Sequence, residues 1–185
     1  AGVRSGDGVI VPANTFIASV EGITMLGAFP VFVDIDAMTY HLSVKHLSDY
    51  LENECRLGLD GHLVDGRTGA SLTAILPVHL FGMVADMAPL IELAKNYNLT
   101  IVEDAAQAHG ASYNMSGNVL RAGSFGLTAA FSFHPGKNLG ALGEGGAVTT
   151  NDLHADNLIR MLRDHGSSQK YVHTSPDGWN SRLST

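Results

Sequence analysis

Short apolar runs alternate with longer segments of helical period along most of the chain. Val9-Ile10-Val11 is an apolar run stopped by Pro12 and reads as a buried strand. Beyond it Phe16, Val20, Ile23 and Leu26 or Gly27 recur at helical spacing, with Asn14 or Thr15 placed to cap that helix. Val31-Phe32-Val33 predicts a second strand ending in Asp34 and Asp36, and a helix is expected over 44–51. The polar, Gly-containing stretch 54–70 breaks the alternation and reads as an excursion or irregular hairpin. A strand resumes from Leu72 to Val78. Asp86 is placed to cap the next helix, where Pro89 falls in the first turn and its missing N–H costs little. Leu90, Leu93, Ala94 and Tyr97 share one face of it. Leu99–Val102, Ala129–Phe133 and Gly146–Thr149 are further short strands, and Asp152 is placed to cap a last helix carrying Leu153, Leu158, Ile159 and Leu162.

Strands alternating with helices at this spacing predict an α/β fold, a mostly parallel mixed sheet with helices on both faces. Ligands of such sheets sit beyond the carboxyl ends of the strands. Asn14, Asp34, His79, Asp104 and Ser132 all fall near such ends, which is where chemistry is expected.

Composition narrows the partners. The 185 residues are 45% hydrophobic and 16% charged, a globular balance, and the formal net charge of -7 argues against a nucleic-acid groove. The lone cysteine, Cys55, excludes an internal disulfide and a multi-cysteine zinc site. No apolar run approaches the ~18 residues of a membrane span. Ala1 to Val11 lacks the basic start and apolar core of a signal peptide. A cytoplasmic protein with no nucleic-acid or membrane partner is the expectation. Glycine is the oddity: 21 residues of 185, above the usual share of about 7%. Eight of them fall between Gly117 and Gly146, where backbone must turn sharply or approach a ligand closely.

Several motifs fail. Gly136-Lys137 is followed by Asn138 and not by Ser or Thr, so no phosphate-binding P-loop forms, and no G-x-G-x-x-G opens a helix after the first strand. The nine histidines show no H-x-x-x-H pair on a predicted helix, and no metal is expected. What remains is a conjunction. Lys137 lies in a Gly-rich loop among Phe131, Phe133, Leu139 and Leu142, with few acidic neighbours. Drawing a lysine partly out of water raises the fraction of free amine that attacks a carbonyl. Asp104 closes one strand and Ser132 another. Each has a plainer alternative: an exposed loop cation, a helix cap, an ordinary strand residue. Taken together, an amine, a carboxylate at a strand end and a hydroxyl near a Gly-rich loop are what pyridoxal phosphate needs. The amine bonds to its aldehyde, the carboxylate keeps its ring nitrogen protonated, and hydroxyl and backbone N–H groups hold its phosphate.

The sequence resembles the pyridoxal-phosphate-dependent sugar aminotransferases of the DegT/StrS type, a branch of the fold-type I aminotransferases. The matching segments are Val9-Ile-Val-Pro-Ala-Asn-Thr-Phe16, Val102-Glu-Asp-Ala-Ala-Gln107, Phe131-Ser-Phe-His-Pro-Gly-Lys-Asn-Leu-Gly140 and Gly143-Glu-Gly-Gly146. Arg163-Asp-His-Gly166, Lys170-Tyr171 and Gly178-Trp-Asn-Ser-Arg182 follow in the family's order. Each piece is weak alone, whereas the ordered set is specific. The resemblance implies that Lys137 bonds covalently to pyridoxal 5'-phosphate and that Asp104 partners the ring nitrogen. It also implies that Gln107 sits by the phenolic oxygen and that Ser132 binds phosphate. Phe16 falls where the family stacks an aromatic on the ring, the alternative being core packing on a helix face. Asn180 matches an asparagine that reaches the neighbouring subunit's cofactor, so a homodimer with shared active sites is implied. His134, Tyr171 and His173 are expected near the substrate without a fixed role.

The expected reaction moves an amino group from an amino acid, glutamate or glutamine, to a keto sugar, nucleotide-linked, with a cyclitol ketone as another acceptor. Some relatives are sugar dehydratases carrying histidine where this chain has Lys137, and a non-catalytic regulatory relative is the other alternative. Residues 1–185 are expected to be an incomplete large domain. The family's Ser-Gly-Thr-type phosphate segment should lie upstream and its C-terminal domain downstream. The segment 56–73 is longer than the minimal family pattern.

Overall fold

Strand β1 (Gly8–Pro12) is buried along its whole length, and its alternating side chains divide the interior into two layers. Val9 and Val11 pack on one side with Ile23, Ala28 and Ala74. Ile10 packs on the other with Val31, Val33, Leu47, Leu72, Ile75 and Leu90. The computed structural model describes residues 1–59 and 61–181, so Asp60 and Arg182 of the segments read above lie outside it.

In chain order β1 is followed by α1 (Ile17–Thr24), β2 (Phe29–Val33), α2 (Val44–Asn53), β3 (Cys55–Leu57), β4 (Leu63–Asp65) and β5 (Leu72–Ile75). A short 3-10 turn (Leu80–Gly82), α3 (Met87–Asn96), β6 (Thr100–Asp104), β7 (Ser112–Met115) and β8 (Asn118–Arg121) come next. The order closes with β9 (Thr128–Ser132), β10 (Gly146–Thr149), α4 (Leu153–Leu162), β11 (Ser167–Gln169) and β12 (Val172–His173). Six strands form one sheet in the order β10-β9-β6-β5-β1-β2. All its pairings are parallel except that of β10 with β9. Ile23 of α1 lies in one layer, and Leu47 of α2 and Leu90 of α3 lie in the other, which puts helices on both faces as expected. No helix among the described residues is long and apolar enough to cross a membrane.

Two local features set the geometry of the sheet. Gly8 pairs with Leu72 and Val9 with Ala74, so Thr73 is an extra residue on β5. That bulge lets Leu72 and Ile75 enter the same layer, which strict alternation would forbid. The antiparallel return of β10 means that the chain leaves and re-enters the sheet at one end. Ser132 pairs with Gly146, and the Phe133 N–H donates to the Gly145 carbonyl at 2.8 Å.

Several expectations need correction. Neither Asn14 nor Thr15 caps α1. Phe16 occupies the cap position without a side-chain hydrogen bond, and the Thr15 hydroxyl shares one with Ser19 at 2.7 Å. Phe16 and Leu26 leave the core, being 66% and 56% exposed, and the buried face of α1 is Ser19 with Ile23. Asp86 does not cap α3 directly. The Tyr113 hydroxyl donates to it at 2.6 Å and accepts the Ala88 N–H at 3.4 Å. Asp152 does cap α4, accepting the Ala155 N–H at 2.7 Å. The strand expected to reach Val78 ends at Ile75, with Val78 making an isolated bridge to Asp104. The excursion 54–70 is a regular β3–β4 hairpin anchored by buried Asp65. Burial opposes that carboxylate's charge, but bonds from Thr68, Tyr50 and the Arg67 backbone hold its pKa at about 2. The β7–β8 hairpin went unread, although Ser116 and Gly117, at φ 51° and 89°, are the turn pair that a two-residue hairpin favours.

One buried group ties the strand ends together. The Glu103 carboxylate, fully buried, accepts from His79 Nε2 at 2.9 Å and from the backbone N–H groups of Gly123, Phe125 and Gly126, each at 2.7 Å. His79 Nδ1 accepts the Ala85 N–H at 3.2 Å, so the ring proton sits on Nε2 and points at Glu103. Gly123 has no substitute, because its φ is +88° and a Cβ there would meet the Phe131 ring at 2.6 Å.

Burial alone would raise the Glu103 pKa, but the bonds from His79 and the three backbone groups bring it below its ordinary value. A carboxyl lowered in the folded state stabilises the fold above its unfolded pKa, and that contribution disappears as pH falls through the folded value. Glu103→Gln is expected to lower stability by about 1–3 kcal/mol for each backbone N–H left without an acceptor. Thermal unfolding from pH 7 to pH 3 checks this: the gap between wild type and variant is widest at neutral pH and narrows at the acid end.

Candidate active site

The carboxyl ends of β1, β5, β6 and β9 open onto one cavity of about 770 Å³. Phe16 and Ser19 reach it from α1, Asp104 and Gln107 from the end of β6, and Ser132, His134 and Lys137 from the segment leaving β9. Five of the six cofactor-site residues expected from the sequence therefore line a single space.

Asp104 is fixed by backbone on both sides. Its N–H donates to the Pro77 carbonyl and its carbonyl accepts the His79 N–H, both at 2.9 Å. Its carboxylate accepts the Ser19 hydroxyl at 2.6 Å on one oxygen and the Ala106 N–H at 3.0 Å on the other. Each oxygen keeps a lone pair for a cationic N–H in the cavity. Gln107 Oε1 accepts the Phe81 N–H at 2.7 Å, which settles the amide's orientation and leaves its NH₂ as a donor. The Ser132 hydroxyl accepts the His134 N–H at 3.2 Å, so its own proton is available to an anion.

Lys137 is half-buried in a turn closed by its N–H to the His134 carbonyl at 2.8 Å. Besides Asp104, Glu144 is the acidic side chain lining the same cavity. Phe16 at the rim is available for stacking and not for core packing. Asn180 is not brought to this cavity. It bridges to Asp164, and Tyr171 and His173 lie with it in the region of β11 and β12.

Ser19 and Phe81 were missed in the sequence. A serine on the buried face of α1, between apolar positions, was itself the signal, since a buried hydroxyl needs a partner. Phe81 carries no sequence signal beyond the glycine after it, and its φ of 58° became evident only from the backbone.

The donor set suits a planar heteroaromatic cation bearing a phosphate: a carboxylate for a ring N–H, an amide donor, a free hydroxyl and an amine within one cavity. The cavity volume falls in the range of small-molecule sites.

A model of the DegT/DnrJ/EryC1/StrS aminotransferase family matches residues 1–185. A dTDP-3-amino-3,4,6-trideoxy-alpha-D-glucose transaminase of Streptomyces venezuelae is 47% identical over 98% of this chain and 42% of its own length. A UDP-N-acetyl-3-dehydro-alpha-D-glucosamine 3-aminotransferase of Acidithiobacillus ferrooxidans is 42% identical over 98% of this chain and 43% of its own length. Among solved structures, a Brucella abortus aminotransferase of the family superposes with a TM-score of 0.84 at 34% identity, over 98% of this chain and 45% of its own. S. venezuelae DesV, solved with a ketimine intermediate, gives 0.81 at 45% identity, over 98% of this chain and 43% of its own. The chain thus spans less than half the length of the relatives it matches.

Ser19→Ala removes one of the two bonds that orient the Asp104 carboxylate. Hydrogen bonds to charged groups contribute about 1.5–3 kcal/mol. Binding of pyridoxal phosphate, followed by absorbance, is expected to weaken about tenfold or more, and Ser19→Thr, which keeps the hydroxyl, is expected to restore most of it.

Proposed function

The chain belongs to the DegT/DnrJ/EryC1/StrS aminotransferase family, whose members depend on pyridoxal phosphate, and from that premise we propose that the protein aminates a keto sugar carried on a nucleotide. The amino group comes from glutamate or glutamine, and the enzyme works in the cytoplasm as a homodimer. The observation that carries the reading is the convergence of Lys137, Asp104, Gln107 and Ser132 on one cavity at the strand ends. The names of the relatives support the acceptor class: both curated enzymes described above act at the 3-position of a nucleotide-linked sugar.

The protein's own groups divide the work. When bound, the cofactor supplies an electron sink for the carbon that loses its proton. Asp104, oriented by Ser19 and the Ala106 N–H, keeps negative charge against the ring nitrogen and so holds a proton there. The Gln107 amide, its Oε1 held by the Phe81 N–H, would donate toward the phenolic oxygen. Ser132 would donate to phosphate, and Phe16 would cover one face of the ring. Lys137 Nζ would bond covalently to the cofactor's aldehyde and, once the amine of a substrate has displaced it, the freed Nζ would take the proton from the substrate carbon and return it on the cofactor's side. Asn180, on the bridge with Asp164 and away from this cavity, completes the phosphate site of a second subunit.

Borohydride reduction of the cofactor-loaded full-length protein, followed by peptide mapping, is expected to place the pyridoxyl label on Lys137. A label on Lys95 or Lys170 overturns the assignment. Lys137→Ala is expected to abolish amination of dTDP- and UDP-linked keto sugars. Asp104→Asn is expected to retain the covalent label yet slow the single-turnover reaction with glutamate by at least two orders of magnitude, in line with the cost of losing one charge-stabilising group. Unchanged single-turnover rates reduce Asp104 to a structural residue.

A further inference from the structure

Two aromatic residues near the cavity stand in a backbone conformation that side chains of their size rarely adopt. Phe81 has φ 58° and Tyr40 φ 62°, and their rings meet edge to face with centroids 6.3 Å apart. Both rings are largely exposed, Phe81 at 73%. A left-handed, bulky, solvent-facing residue carries a cost in strain and in hydration, of the kind that collects at ligand-binding positions.

The placement of Phe81 is firmly determined. Its N–H is held by Gln107, the turn before it is fixed by buried His79, and His41 Nε2 approaches the Leu80 carbonyl at 3.4 Å. Three elements therefore hold a ring that itself only borders the cavity. The hydrogen bond to Gln107 sets the Phe81 backbone beside the residue proposed to face the reacting end of the cofactor, and Phe81 lines the same cavity as Lys137. A ligand part lying against Phe81 is thereby placed toward the reacting end of the cavity. For a nucleotide-linked acceptor that part is the sugar, since the base is a whole diphosphate and ribose further away. The polar side chain of a glutamate or glutamine donor is a poor match for an apolar ring, whereas the C–H face of a deoxygenated pyranose is a good one.

We propose that Phe81, braced by Tyr40, is the surface on which the acceptor's sugar ring lies, and that it sets affinity for the sugar and not for the nucleotide or the amino donor. This rests on the reading of the protein as a keto-sugar aminotransferase.

The experiment compares full-length wild type with Phe81→Ala, Phe81→Leu and Phe81→Tyr. Calorimetric titration of the loaded enzyme uses two probes, a dTDP-linked amino sugar and dTDP alone. Phe81→Ala is expected to weaken the nucleotide sugar about tenfold and leave dTDP unchanged. Phe81→Leu is expected to fall between, and Phe81→Tyr to match wild type. KM for the keto sugar follows the same order, while the single-turnover reaction with glutamate and the affinity for pyridoxal phosphate stay at wild-type values. Equal weakening of dTDP places the ring against the nucleotide and overturns the proposal. So does a slowed donor reaction, or a loss of oligomer on gel filtration, which identifies the ring as a subunit contact. A wild type that aminates no keto sugar refutes the proposed function and this inference with it. A wild type that does so with Phe81→Ala unimpaired refutes this inference alone.

Discussion

A buried carboxylate with no spare acceptor capacity holds the functional end of this molecule in place. Glu103 receives four hydrogen bonds at 2.7–2.9 Å from two otherwise separate pieces of chain, the turn after β5 and the loop before β9. An ionised group in an apolar interior is tolerated only when its partners are arranged around it, and here three of them are backbone groups with little freedom to move and the fourth is the buried His79 ring. The neighbouring residue in β6 is Asp104, whose side chain turns the other way, into the cavity. One strand end thus carries a structural carboxylate and, beside it, the carboxylate proposed to face the cofactor, and the saturation of the first fixes the strand end that presents the second.

Above that rigid floor the site is less constrained. Phe16, Phe81 and Glu144 are exposed residues lining the cavity, and Lys137 is carried on a segment outside the sheet. A fixed floor with an open rim suits the proposed reaction, in which one cofactor is held identically through two half-reactions while two unlike substrates enter in turn. Asp104, Gln107 and Ser132, the polar groups proposed to face the cofactor with Lys137, come from the floor or from the turn beside it. The exposed rim is proposed to distinguish substrates.

The readability of the sequence follows the same division. Strands buried on both faces, such as Val9-Ile10-Val11, announce themselves as apolar runs, and the residues at their ends could be located before any coordinates. Asp104 and Ser132 are located in this way and Lys137 by its Gly-rich loop, while the family resemblance adds Gln107 and the roles proposed for all four. What escaped were features decided by tertiary partners. The Thr73 bulge depends on β1. The Asp86 side chain is diverted by a tyrosine 27 residues later. Ser19 is oriented by an aspartate 85 residues away. Phe81 owes its conformation to bonds from segments distant in sequence. Local propensity carries no record of such partners, and Asn180 illustrates the converse: its motif was legible, but its expected partner is a second subunit.

The antiparallel return of β10 has a consequence for how this site can vary. Because the chain leaves β9 and comes back beside it, the stretch bearing Lys137 is a hairpin loop closed at its base by Ser132 and Gly146, and not a crossover spanning the sheet. Closing a longer loop costs only about 0.6 kcal/mol for each doubling of its length. The loop is tied back to its base by the Ala141 N–H, which donates to the Phe133 carbonyl at 2.8 Å, so added length is accommodated at exposed Leu142 with no change of strand register while the amine keeps its place.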